Sequence, residues 1–128
     1  MRKQKVYLET TMFNYYFDTE QEAPAERAKK MIDLITEYGI TVLQSSEEAD
    51  RLAAIYQEQG IIPPRSTEDA QHIAVAAVND LDMIISLNFR HIVRKKTVTM
   101  TGLVNTAHGY KPVEIHSPME VVERENTE

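Results

Sequence analysis

The stretch STEDAQHIAVAAVNDLDMIISLNF, Ser66 to Phe89, decides the fold. Ala70, Ile73, Ala74, Ala77 and Val78 recur at steps of three and four residues, so the segment after Asp69 reads as a helix packed on a core. Met83, Ile84 and Ile85 then form a short apolar strand. A helix feeding a near-continuous apolar strand belongs to an α/β protein with a covered parallel sheet. Two acids, Glu68 and Asp69, open that helix, where they can serve as caps or as ligands.

Upstream of this unit, Lys5–Thr10 (KVYLET) carries β-branched and aromatic residues without a helical period and reads as a central strand. TMFNYYFD reads as a short helix capped by Thr10 or Thr11, followed by a polar loop over Asp18–Ala23. Pro24 opens a helix with Ala28, Met31, Ile32 and Ile35 on its apolar face, and Gly39 ends it. Ile40–Leu43 (ITVL) reads as the next strand. Ser45 or Ser46 caps a helix over Glu47–Gln59, which Gly60 stops. Downstream, NFRHIVRKK reads as a loop, Val98–His108 as a helix before Gly109, Val113–His116 as a closing strand and SPMEVV as a last helical turn.

A chain of 128 residues fits one domain. It is placed over residues 1–122, with an acidic, disordered tail over 123–128. The absence of cysteine excludes disulfides and thiolate metal sites. No apolar run approaches the roughly 18 residues needed to cross a bilayer. The start enters a strand pattern directly, so the expectation is a cytoplasmic protein with no membrane partner. A net charge of −6 and a sequence pI near 5.2 argue against a protein that coats nucleic acid by phosphate neutralisation alone. The charge is uneven, however. RHIVRKK, from Arg90 to Lys96, is a basic patch that can be a solvated loop or can hold a phosphate backbone.

In a parallel sheet, ligands gather where strands end and loops cross to helices. Glu9 and Asn88 fall at such ends, with the hydroxyls of Thr10, Thr11 and Ser86 beside them, and Asp69 can point into the same crevice. A carboxylate cluster repels itself unless a cation sits in it, and hard oxygen ligands select Mg²⁺ or Mn²⁺. Such a cation can activate water and neutralise phosphate charge. Asp69 has a plainer reading as well, and Glu9 is harder to explain away. Asp69 stands three residues after Ser66, near the capping-box arrangement, and spacing alone favours a cap there. Glu9, an acid closing an apolar strand, needs a partner. Asp82 belongs to the opposite end of the sheet. His72 reads as a packed core histidine, His91 as part of the basic loop and His108 as a helix end.

VYLETTMFNYYFD, STEDAQHIAVAAVNDLDMIISLNFRHIV and GYKPVEIHSPMEVV together resemble the PIN-domain family, in particular its bacterial branch of VapC-like toxin ribonucleases. The resemblance covers most of the chain. It implies a PIN-like three-layer α/β sandwich with a central, mainly parallel sheet, and RNA cleavage with Mg²⁺ or Mn²⁺. By position it implies Glu9, Asp69 and Asn88 as catalytic, metal-binding residues. Thr10, Thr11, Ser86, Arg90, Arg94, Lys95 and Lys96 are then the substrate contacts, and RNA and an antitoxin the partners. The chain departs from the family in two respects. The first is Asn88, which stands where many members carry an acid, although this branch often has Asn there. The second is a missing segment. A helix-strand-helix segment bearing the second family acid has no counterpart, since only Asp18–Ala23 fills that interval. The expectation is therefore an endoribonuclease with weakened or lost activity, or alternatively a catalytically lost PIN-fold binding or oligomerisation module. The shortened sheet further implies a homodimer.

Overall fold

Three parallel strands carry the fold: β1 (Val6–Leu8), β2 (Met83–Ile85) and β3 (Glu114–His116), in the order β1-β2-β3. The computed structural model describes residues 3–13 and 24–126. Between and after the strands lie α1 (Pro24–Tyr38), α2 (Glu47–Glu58), α3 (Thr67–Val78), α4 (Lys95–Ala107) and α5 (Pro118–Asn126). The α/β class with an all-parallel sheet is as the sequence indicates. The register is Val6↔Met83, Tyr7↔Ile84 and Leu8↔Ile85 on one side of β2, and Met83↔Glu114, Ile84↔Ile115 and Ile85↔His116 on the other.

The core lies on the face of the sheet that presents Tyr7, Ile84 and Ile115. β1 to β2 and β2 to β3 step across the sheet in the same direction, so right-handed crossovers bring α3 and α4 to the same side. α2 packs along α3 and touches α4. Its buried residues Ala49, Leu52, Ala53 and Tyr56 follow helical spacing and meet a helix whose Ala70, Ile73, Ala74, Val75, Ala76 and Ala77 are all buried. α3 contacts both α2 and β2, which is why its second half is buried nearly all round rather than along one stripe. Ser46 caps α2 by accepting from Ala49 N at 3.1 Å, and Gly60, at φ +73°, supplies the left-handed residue that ends it.

Several expectations are corrected. Among the described residues β1 is an edge strand, not a central one. The central place goes to β2 because Met83 and Ile84, which point to opposite faces, are both buried, whereas Val6 and Leu8 of β1 are exposed. Ile40–Leu43 is irregular chain, not a strand: Leu43 packs on the core but Val42 is 68 % exposed, and β propensity without a neighbouring edge to pair with does not make a strand. In α1, Ile32 faces solvent while Met31, Leu34 and Ile35 are half-buried. α4 begins at Lys95, three residues before the expected start, so Lys95 and Lys96 belong to its first turn. α5 continues to Asn126, well past a single turn. The helix expected over TMFNYYFD is present at residues 10–13. Its remainder and the Asp18–Ala23 loop lie outside the described residues, as do residues 127–128.

Candidate functional site

Glu9 follows β1 directly and is 3 % exposed. Its Oε2 accepts from Ser86 Oγ at 2.7 Å, from Thr11 N at 3.1 Å and from the Thr11 hydroxyl. Burying a carboxylate at a strand end demands such donors, and the helical turn at 10–13 supplies two of them. Thr11 Oγ1 in turn accepts from Leu87 N at 2.9 Å, and Ser86 Oγ accepts from Asn88 N at 2.9 Å. Both hydroxyl protons are therefore committed to Glu9, and both hydroxyl oxygens brace the loop after β2.

Asn88 connects this cluster to α3. Its Nδ2 donates to Asp69 Oδ1 at 3.0 Å, and its Oδ1 accepts from His91 N at 3.0 Å. Its backbone carbonyl accepts from Ile92 N at 3.1 Å and Val93 N at 2.8 Å, so NFRHIV folds around this one residue and buries Ile92. The structure thus brings Glu9, Ser86, Asn88 and Asp69 together at the carboxyl end of the parallel sheet, joined by hydrogen bonds. Asp69 is not the capping-box partner its spacing suggests. Ser66, the N-cap residue, makes no side-chain cap bond, and the Asp69 carboxylate turns to Asn88 instead.

His72, one turn further along α3, is the site residue that sequence spacing left in the core. Its Nδ1 is 2.7 Å from Tyr7 OH, its Nε2 is 3.2 Å from Thr10 Oγ1, and the same nitrogen lies 4.0 Å from Glu9 Oε1. The available signal was the alternation in β1: Tyr7 and Glu9 share a strand face, and that face is the one α3 covers. Burial first, then the charges of Glu9 and Glu68, hold the Tyr7 phenol above its ordinary range, so it stays a hydroxyl. Asp82 lies at the other end of the sheet, as expected, accepting from Lys5 N and from Lys111 Nζ, each at 2.7 Å.

Arg90, Arg94, Lys95 and Lys96 are all exposed on the loop that Asn88 organises and on the helix turn it leads into. Arg94 is the N-cap of α4 with no side-chain cap bond, and the first turn of α4 contains no acid. Cations at the positive end of a helix dipole are unfavourably placed until an anion joins them. Among the described residues, no group of three or more His, Cys, Asp and Glu is arranged to hold a metal ion. No described helix is long and apolar enough to cross a membrane.

No family model, curated protein or solved structure matches the chain. What the site can do is therefore read from its own donors and acceptors. Glu9 and Asp69 provide carboxylate oxygens and Asn88 provides a neutral bridge between them, with a basic loop beside the cluster.

Proposed function

We propose that the protein is a PIN-like endoribonuclease of the VapC-like toxin type, working with Mg²⁺ or Mn²⁺ through a reduced metal site and correspondingly slow. The observation that supports this reading most is the hydrogen-bonded chain from Glu9 through Ser86 to Asn88 and Asp69 at the carboxyl end of a parallel sheet. Two carboxylates fit a hard cation that keeps several of its waters and takes further oxygens from phosphate. Asn88 fixes Asp69 through its carboxamide nitrogen, and its oxygen, which accepts from His91 N, keeps a second lone pair for the cation. When bound, the cation supplies water activation and charge neutralisation at the scissile phosphate. Glu9 and Asp69 hold it, Ser86 and Thr11 fix the Glu9 carboxylate, and Asn88 fixes Asp69. Thr10 faces the solvent side of the same cluster. Arg90, Arg94, Lys95 and Lys96 hold the RNA backbone.

A second reading, a PIN-fold binding module without catalysis, is favoured by the same Asn88. An amide bonded at both ends gives Asp69 a neutral partner where a charged centre would need a cation. RNA cleavage with Mg²⁺ or Mn²⁺ separates the two. Slow cleavage that requires the metal and disappears in Glu9→Gln and Asp69→Asn supports the nuclease. Binding without cleavage supports the module. In either case the basic loop predicts salt-dependent RNA affinity, and each lost phosphate contact to a single strand flattens the log–log slope by roughly 0.7. An unchanged slope in Lys95→Ala/Lys96→Ala returns the patch to solvent.

A further inference from the structure

We infer that Phe89 is a stacking platform for one unpaired base, so that the basic loop takes RNA where it is single-stranded and seats a nucleotide beside the carboxylate cluster. The inference rests on the RNA-binding part of the function proposed above and is independent of cleavage.

NFRHIV carries two large apolar side chains three residues apart, and the fold treats them in opposite ways. Ile92 is fully buried, whereas Phe89 is 57 % exposed. The backbone between them is braced. Asn88 O accepts from Ile92 N and Val93 N, Phe89 N donates to Leu87 O at 3.0 Å, and Thr97 Oγ1 donates to His91 O at 2.8 Å. Phe89 is thus held outward by a loop whose other apolar residue anchors it in the core. A ring on such a support has little backbone freedom left to lose when a ligand covers it.

A lone exposed apolar side chain is ordinary on a protein surface. The charge around Phe89 is what makes it informative. The chain carries a net charge of −6, yet residues 83–113 contain no acid at all, and Arg90, Arg94, Lys95 and Lys96 are exposed within that stretch. Tyr38, the other largely exposed aromatic among the described residues, follows Glu37 and has no such company. An anionic partner therefore fits the segment that presents Phe89. A simple phosphate answers the cations and leaves the ring bare. A single strand of nucleic acid answers both, with its backbone on the cations and the flat face of a base on the ring. A duplex cannot, because its base faces are stacked on one another. Phe89 also follows Asn88, whose amide is bonded to Asp69, and consecutive Cα atoms are about 3.8 Å apart. A base on this ring thus sits next to the cluster. Stacking accepts any base, so the discrimination is between unpaired and paired RNA.

The chain contains no tryptophan, so Phe89→Trp installs a single reporter at the ring. A short labelled single-stranded RNA, titrated with the full chain by fluorescence anisotropy and with no divalent metal added, tests the inference. Phe89→Ala is expected to weaken binding about 5- to 150-fold, the contribution of one stacked base, with an unchanged log–log salt slope because no phosphate contact is lost. Phe89→Leu is expected to lose nearly as much. Phe89→Trp should keep the affinity, and its emission should be quenched by the RNA and not by inorganic polyphosphate. The same strand annealed to its complement should bind the unaltered chain and Phe89→Ala alike. All three variants are expected to keep the circular dichroism spectrum, since the side chain is exposed. Equal affinity of the unaltered chain and Phe89→Ala for the single strand overturns the inference and leaves phosphate binding by the loop intact. Full affinity in Phe89→Leu also overturns it, and points to an apolar contact of the kind a peptide partner makes. A chain that binds no RNA overturns both readings. If Phe89→Ala misfolds, quenching in Phe89→Trp decides.

Discussion

The side-chain amide of Asn88 donates to Asp69 Oδ1 at 3.0 Å, tying the loop after β2 to the first turn of α3. Because the amide oxygen is held by His91 N, the group cannot turn over without losing both bonds. Asn88→Asp places a second carboxylate against Asp69, and like charges at that distance repel. The expected result is a lower melting temperature without metal and a larger rise on adding Mn²⁺ than the unaltered chain shows. Equal responses to Mn²⁺ in the two proteins would mean that this position does not govern cation binding.

Ser86 is fully buried and serves both Glu9 Oε2 and Asn88 N. Ser86→Ala withdraws a donor from one buried group and an acceptor from another. A cost of about 1–3 kcal/mol is expected from the unsatisfied groups, read as a fall in the urea midpoint with an unchanged slope. Ser86→Cys, close in shape and a weaker donor, should fall between the two.

The Tyr56 hydroxyl donates to Asn105 Oδ1 in the core between α2 and α4, while Asn105 Nδ2 is buried with no partner among the described residues. Burial pushes the Tyr56 hydroxyl far above its ordinary range, so it remains a donor across the working pH range. Tyr56→Phe leaves both ends of the Asn105 amide unsatisfied and should cost about 1–3 kcal/mol. Adding Asn105→Leu removes the polar group and should recover most of that loss. Additive losses in a double-mutant cycle would contradict the pairing.

His116 and Glu120 join the end of β3 to the first turn of α5 through Nδ1 and Oε2 at 2.7 Å. The hydrogen bond from His116 is the main cause holding the Glu120 carboxyl below its ordinary range. A carboxyl depressed in the folded state stabilises at pH above its unfolded value, and that contribution disappears as pH falls through the folded value. His116→Ala should therefore flatten the acid side of the stability profile, below the ordinary carboxylate range, relative to the unaltered chain. Melting temperatures measured from neutral pH down to about 3 check this.

The segment from Ser66 to Phe89 was legible because its periodicity changes once, from helical to strand, and tertiary packing reinforces both halves. α2 was legible for the same reason, with a serine at its cap and a glycine at its end. Ile40–Leu43 was misread because four β-prone residues say nothing about whether a sheet edge is within reach. The rank of β1 in the sheet was misread because KVYLET looks apolar enough for a centre. Its alternation, with Val6 and Leu8 on one face, was the better guide. At the site, strand ends located Glu9 and Asn88, but spacing could not separate a cap from a tertiary contact at Asp69. His72 was missed because a histidine on an alanine-rich helix gives no hint of which strand residue it will meet.

The pairing of Val6 with Met83 and of Leu8 with Ile85 joins parts of the chain that α1, α2 and α3 separate in sequence. Helix-helix contacts between α2 and α3 are local, whereas the β1–β2 ladder must first close a long loop and bear its entropy. Glu9 comes with β1, while Ser86, Asn88 and Asp69 lie on the far side of that long loop. The carboxylate cluster thus depends on the least local strand pairing of the fold, and any opening that frees β1 takes Glu9 away from its ring of donors.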